Sequence, residues 1–520
     1  MSVCRSFMNG SSSFGPGCSP VPVGRTRTAL IFWIGLLVSG QQASGFIPMT
    51  PTMRLEEIDQ ADTLALEDSS GEDDDEGPLV IRSSDEAPTP ETAPPPVPES
   101  DSSWRFRWMG WDGIEFEIQE KTSFKNPAAF SGIDDNMSFM ASHFSVERLT
   151  FHARIGVRTD LDMTHFFKTG NRGGDSTQLA LRRFRVLTKG DFHLLFPALY
   201  QIELGYVPNT FYIENMYIAM EDLKWVGELK LGQFTAPMGL DVLTSSRWIT
   251  FMEEASVSEA LAPGVNLGLQ MHRTFKDDNV TLTAGLFSDA VTSDTGDASQ
   301  DYGRLIGRLS WISGWEEGPA PDEPEHMTHW AVSMNSIYSS SEFIQYRSRP
   351  EAHSADFLID TGELDANSAN TVGVEFAKVD GPRLLQWEAF YSNVNSANEA
   401  EDSSLGFYGG YFLASWILTG ERRRYIKEKG IFGGVHPTTA VNWGNKWGGA
   451  LELSGRLSYT DLTDGSTDGG RMLLAGAGLT WYARNRVRFK ANLIGGQVSR
   501  FDDREGILLL EFRISTDLGP

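Results

Sequence analysis

The sequence predicts an all-β protein: a transmembrane antiparallel β-barrel of about 16 strands with one connection folded inward as a constriction loop. Three observations carry this. Apolar and polar residues alternate with period 2 through residues 104–520. The alternating segments run about 9–15 residues, near the length that crosses a bilayer when tilted and longer than strands of soluble sheets. Several polar faces carry arginine, which a dry core does not tolerate and a water-filled lumen does.

Composition agrees. The chain has 520 residues, 40% of them apolar, with mean hydropathy −0.27. A helical membrane bundle would need several apolar runs of about 20 residues. Barrel strands alternate, so their mean hydropathy stays near that of soluble proteins. The 52 glycines and 11% aromatics suit many strands joined by tight turns. The net charge is −26. Residues 1–50 carry Arg5, Arg25 and Arg27 and no acid, and residues 51–103 hold 16 acidic residues against Arg54 and Arg82. Those segments are therefore +3 and −14, which leaves −15 on residues 104–520. No basic surface suggests a nucleic-acid partner. Cys4 and Cys18, the two cysteines, both precede the first apolar run. Cleavage after that run leaves no disulfide and no thiolate metal site.

The first element is a targeting segment, residues 1–45. Arg25 and Arg27 precede the apolar run 29–38, and small residues follow at Ser39, Gly40, Ala43, Ser44 and Gly45. That order is a signal peptide. The stretch before Arg25 is long for such a peptide, so translation is expected to start at Met8 or later. Residues 46–103 form an acidic, Pro-rich linker with the runs 72–76 and 94–96, too charged and too poor in apolar groups to fold.

The barrel follows from residue 104. Phe151, Ala153, Ile155 and Val157 alternate with His152, Arg154, Gly156 and Arg158. Phe184 and Val186 alternate with Arg183 and Arg185; Leu305, Leu309 and Trp311 oppose Arg304 and Arg308. Leu451, Leu453 and Leu457 oppose Glu452, Ser454 and Arg456; Phe489, Ala491 and Leu493 oppose Arg488, Lys490 and Asn492. Residues 192–204 read as one continuous face, and Leu508, Leu510, Phe512 and Ile514 close the series. The apolar face should meet lipid and the polar face water. Tyr206, Trp225, Trp311, Trp416, Trp481 and Tyr482 suit the aromatic girdles at the two interfaces.

Short turns at 189–191, 276–279 and 483–485 would be periplasmic, and the longer stretches 288–301, 313–327 and 421–446 would be extracellular loops. Residues 235–262 differ. They are long and carry Met238, Leu240, Trp248, Ile249, Phe251 and Met252. Exposed, they would make a large apolar patch; folded inward, they would narrow the lumen.

These stretches also resemble a known family. The sequence 229–234, continuing through 236–240 and 243–253 to 260–264 and 266–268, is similar to the phosphate-selective porin O/P family, as are 418–423 and 479–482. The resemblance spans about residues 148–515. It implies a sixteen-stranded outer-membrane porin, commonly a homotrimer, with its third extracellular loop (235–262 here) folded inward. It implies a passive pore for small anions, phosphate or polyphosphate, with no cofactor and no metal. Arginine grips phosphate oxygens bidentately and lysine adds a point charge. The pore-facing candidates are Arg154, Arg158, Arg183, Arg185, Lys230, Arg304 and Arg308, with Arg247 on the inward loop. Two features depart from that picture. The barrel region carries −15, and the last aromatic is Phe512 rather than the terminal residue.

A non-selective pore, or a structural or adhesive barrel, is the alternative. An enzyme is not expected, because none of the nine histidines sits in a nucleophile motif. His326 and His329 lie in an acidic stretch and are read as solvated. The surroundings implied are outer-membrane lipid and small anions.

Overall fold

The computed structural model describes residues 102–108, 114–120, 149–167, 175–193, 197–207, 210–290, 302–339, 343–396, 404–442, 448–501 and 503–518. The targeting segment and nearly all of the acidic linker lie outside the described residues.

Sixteen antiparallel strands make the wall: β3 (Leu149–Phe166), β4 (Ser176–His193), β5 (Pro197–Val207), β6 (Thr210–Leu223), β7 (Gly227–Thr235), β8 (Val265–Phe275), β9 (Val280–Ser288), β10 (Tyr302–Glu317), β11 (Pro324–Ser339), β15 (Leu364–Asp380), β16 (Arg383–Ser396), β17 (Ser404–Ile417), β20 (Ala450–Asp464), β21 (Thr467–Arg484), β22 (Val487–Arg500) and β23 (Asp503–Leu518). The wall closes where β23 pairs with β3, from Leu509↔Phe166 to Leu518↔Val157. Closure leaves no open edge, the condition for a sheet to sit in lipid. An N-terminal hairpin, β1 (Ser102–Trp108) and β2 (Ile114–Glu120), continues the seam: β2 pairs with β3 from Ile114↔Ile155 to Glu120↔Leu149, where β23 has ended.

The period-2 pattern decides which way each side chain points. Leu161, Leu204, Leu305, Leu457, Leu493 and Ile514 stand on the outer face, 46–53% exposed. Water would not tolerate so much apolar surface on a soluble protein, whereas hydrocarbon solvates it. Across β10, β11, β15 and β16, Trp311, Trp330, Phe376 and Trp387 sit directly opposite one another, with successive ring centroids 6.5, 4.6 and 5.7 Å apart. Such cross-strand aromatic pairs pin the register of the wall. Tyr482, expected in a girdle, instead faces the lumen, 1% exposed, with its hydroxyl on Glu452. Leu457 lies near mid-strand on the lipid face, so Leu457→Arg is expected to cost about 2–4 kcal/mol. Denaturant unfolding of protein reconstituted in lipid vesicles measures it.

Both ends of the wall, the start of β3 and the end of β23, lie at one rim. That rim also holds the end of β4 and the turns 224–226, 276–279, 381–382 and 485–486, and short turns mark the periplasmic side. Strict alternation then corrects two expectations. The connections 318–323 and 418–449 belong to this periplasmic rim rather than outside the cell. A third correction concerns β4, which runs through 189–191 to His193. Gly190 is there because β4 crowds β3: a Cβ would lie 1.9 Å from the His152 carbonyl oxygen. An in-strand glycine at a close backbone approach is not a turn signal.

Among the described residues, three segments enter the lumen. From the extracellular rim come the expected inward loop, 236–264, with α1 (Leu240–Leu243) and α2 (Ser256–Leu261), and the connection after β11, with β12 (Phe343–Ile344), β13 (Arg347–Ser348) and β14 (Ile359–Asp360). From the periplasmic rim comes the hairpin β18 (Arg423–Ile426) and β19 (Ile431–Val435). Their apolar residues make a core inside the barrel: Met238, Leu240, Phe251, Val257 and Leu261 join Tyr346, Phe432 and the strand residues Phe390, Phe407, Leu474 and Ile494.

Candidate functional site

The inward loop is held by polar side chains of the wall. The backbone N–H groups of Leu240 and Asp241, at the start of α1, donate to the two oxygens of Glu388, each at 2.7 Å; Tyr411 also donates to Glu388. Lys490 Nζ reaches the carbonyls of Ile249 (2.5 Å) and Phe251 (3.0 Å). Arg513 pairs bidentately with Asp162 at 2.7 and 2.6 Å and also bonds the Met252 carbonyl and Glu253. Arg456 holds the Glu253 carbonyl and the carboxylate of Glu351. The bonds to the N–H groups of Leu240 and Asp241 and to the carbonyls of Ile249, Phe251, Met252 and Glu253 satisfy backbone groups that a loop removed from water would otherwise leave unpaired. Within the loop, Glu253 is held well below the usual carboxylate range. Burial alone would raise it, but Arg182, Arg183 and Arg513 overcome that. Burial pushes its neighbour Glu254 up to about 8, with Asp241 and Glu253 adding to the effect. The surroundings therefore favour the charged form of Glu253 and the neutral form of Glu254.

The periplasmic hairpin crosses to the far wall. The ring of His272 contacts the Glu428 carbonyl at 2.7 Å, Arg308 donates to the carbonyls of Lys429 and Gly430, and Tyr425 meets His329 at 2.7 Å. Arg423 donates to Glu452 and to the Trp248 carbonyl of the inward loop. His329, expected to be solvated, is fully buried under this hairpin; His326 is exposed at the rim, 3.0 Å from Asp380.

With these segments in place the lumen is dry on one side and wet on the other. Inward-facing Glu375, Glu388, Thr460, Asn492 and Glu511 are 0–1% exposed. Along β5–β8, inward-facing Gln201, Asn215, Tyr217, Lys230 and His272 remain partly exposed. Solvent therefore reaches the lumen face of β5–β8 more than it reaches the opposite wall.

The expected pore residues fall on both sides. Arg308 lies on the dry side, paired bidentately with Glu375 at 3.0 and 2.7 Å. Arg304 lies toward the extracellular end, 3.1 Å from Asp289. Arg154 sits at the periplasmic end of β3, opposite Lys189. Arg158 bonds Asp160 at 2.8 Å and Ser246 of the inward loop at 2.9 Å, and Arg183 bonds Asp160 at 3.2 Å. Arg185 pairs with Glu203 (3.2 Å) and Glu214 (2.8 Å). Lys230 lies 3.2 Å from Glu228 and 4.8 Å from the Tyr217 ring centroid. Arg247 joins Arg158, Arg185, Glu203 and Asp517 around one small pocket. Strand parity misses Arg182, an inward arginine of the wall, and the reading of 421–446 as an external loop misses Arg423. A register shift between Asp160 and Leu161 leaves Arg182 without an opposite residue on β3. Arg182 and Arg183 both reach Glu253, as a β-bulge permits.

A closed barrel with an apolar outer belt, a polar lumen and an inward-folded extracellular loop defines a porin-class protein of the outer membrane. The model of the family "phosphate-selective porin O and P" matches residues 153–506, and the chain belongs to that family. It is 22% identical over 399 residues to Porin O of Pseudomonas aeruginosa, covering 68% of this chain and 85% of that one. It is 26% identical over 322 residues to an uncharacterised protein of Caulobacter vibrioides, covering 60% of this chain and 61% of that protein. Among solved structures it is similar to a loop-deleted OmpT of Vibrio cholerae, with TM-score 0.45, 8% identity and coverage of 70% and 98% of the two chains. It is also similar to the anion-selective porin of Comamonas acidovorans, with TM-score 0.43, 10% identity and coverage of 70% and 99%.

Proposed function

We propose that the protein is a passive diffusion channel of the outer membrane that prefers small anions, phosphate or polyphosphate among them, and that it works as a homotrimer without a cofactor. The supporting observation is the meeting of Arg158, Arg185 and Arg247 around one pocket next to the partly exposed face of β5–β8, with Lys230 further along the same side; in this reading water and solute pass along β4–β8, between that pocket and that face. Arg158 and Arg185 share their charge with carboxylates of the wall, so a passing anion would meet several weak sites rather than one tight one. Conduction requires that balance. The reading is of a channel rather than an enzyme. A second reading, a barrel that serves chiefly as an anchor, draws on the segments that pack inside the lumen.

Recording from purified protein in a planar bilayer tests both. In a potassium chloride gradient the reversal potential should lie on the anion side, and inorganic phosphate should reduce chloride current. Arg247→Ala and Arg185→Ala are each expected to lower anion-over-cation permeability roughly two- to fivefold, as loss of one nearby unit charge would. Cation preference would remove the phosphate reading, and negligible conductance would favour the anchor.

A further inference from the structure

We infer that Glu203 sets how strongly this channel prefers anions: its carboxylate acts as a built-in counter-ion in the arginine pocket where a permeating oxyanion would bind. The inference rests on the reading above that solutes pass along β4–β8.

The pocket gathers three arginines, Arg158, Arg185 and Arg247, with two carboxylates, Glu203 and Asp517. Glu203 is 6% exposed. Its Oε1 accepts from Arg185 Nη1 at 3.2 Å and its Oε2 accepts from Asn215 Nδ2 at 2.8 Å. A carboxylate held by a guanidinium offers the same kind of paired oxygens as one edge of a phosphate. The two therefore compete for the same donors, and the fixed one repels the mobile one. The pocket also keeps an unused donor. Arg158 is 5% exposed, and its Nε has no hydrogen-bond partner, the Asp517 carboxylate lying 3.9 Å away, beyond hydrogen-bond reach. Arg308 on the dry side differs: its Nε and both Nη groups are bonded to Glu375 and to the hairpin carbonyls. A buried guanidinium N–H without an acceptor is costly, and an oxyanion in the pocket would relieve it. Glu203 is the carboxylate placed to control access, because its partner Asn215 belongs to the partly exposed face of β6.

Glu203→Gln keeps the shape and one acceptor oxygen for Arg185 while removing the charge. In bilayer recordings of the full chain, E203Q is expected to raise the chloride-over-potassium permeability ratio about fivefold, the effect of one unit charge at about 4 Å screened as in bulk water. Inorganic phosphate should then reduce chloride current at lower concentration than in the wild type. Asn215→Asp, at a partly exposed position, adds charge beside Glu203 and should shift the ratio the opposite way. It carries the test if E203Q does not insert. An inserted E203Q with wild-type permeability ratio and wild-type sensitivity to phosphate overturns the role of Glu203; so does an unchanged ratio in N215D if E203Q fails to insert. A wild-type channel that prefers cations would sink the anion reading instead, and a shift in E203Q would still stand.

Discussion

Arg513→Ala is expected to loosen the inward loop and destabilise the barrel by about 3–5 kcal/mol, the range for removing one partner of a buried ion pair. Arg513 is 2% exposed and holds three acceptors at once: the Asp162 carboxylate, the Met252 carbonyl and the Glu253 carboxylate. Its removal leaves Asp162 buried without its bidentate partner and takes from the loop the wall contact nearest Glu253. The loop would retain Lys490, Arg456 and Glu388 as anchors, so the segment should fluctuate rather than leave the lumen. Single-channel conductance should rise and become noisy, and denaturant midpoints should fall. Arg513→Lys, a point charge unable to bridge the same set, should recover part of the loss. Wild-type conductance and stability in R513A would show that the loop stands without this contact.

The second large effect concerns the periplasmic hairpin. Replacing residues 423–435 by a short Gly/Ser linker should raise conductance while leaving a closed barrel. The wall does not depend on the hairpin: β17 pairs directly with β20 from Tyr408↔Asp461 to Ile417↔Glu452. The hairpin's attachments are side chains reaching up from the wall, Arg308, His272 and His329, together with Arg423 against Glu452. Its loss opens the β9–β17 side to water and leaves Arg308 paired with Glu375, which remains satisfied. Solute discrimination should fall because the added cross-section lacks the arginine pocket. Unchanged conductance would mean that the hairpin obstructs nothing.

Much of this was legible in the sequence because a strand's period is 2, and its polar face names the lumen without knowledge of the partner strand. Parity alone places Arg158, Arg183, Arg185 and Arg308 inward. The apolar character of residues 235–262 likewise signalled a loop that had to be covered. Parity fails where the period slips. The bulge at Arg182 turns two neighbouring arginines the same way, and no composition signal marks it. Parity also passes across the break between two strands when alternation continues through it, as it does from Phe192 to Leu204, so the separation of β4 from β5 was invisible and Gly190 was misleading. The hairpin 423–435 read as an external loop because it is long and charged; only the count of strands before it fixes its rim. Nor could the pattern reveal which lumen charges meet. Arg456, Lys490 and Arg513 were legible as inward-facing, yet their task of holding backbone carbonyls of the inward loop depends on a contact more than 200 residues away in sequence.

The central claim is that water and solute pass along β4–β8 while the rest of the lumen is packed. Single cysteines in a chain with Cys4 and Cys18 replaced test it, with a membrane-impermeant anionic thiol reagent applied to the reconstituted channel. Cysteine at Gln201, Tyr217 or Lys230 should react and reduce the current, and cysteine at Ser458, Thr480 or Asn492 should not. Reaction at the second set with silence at the first would contradict the assignment of the path.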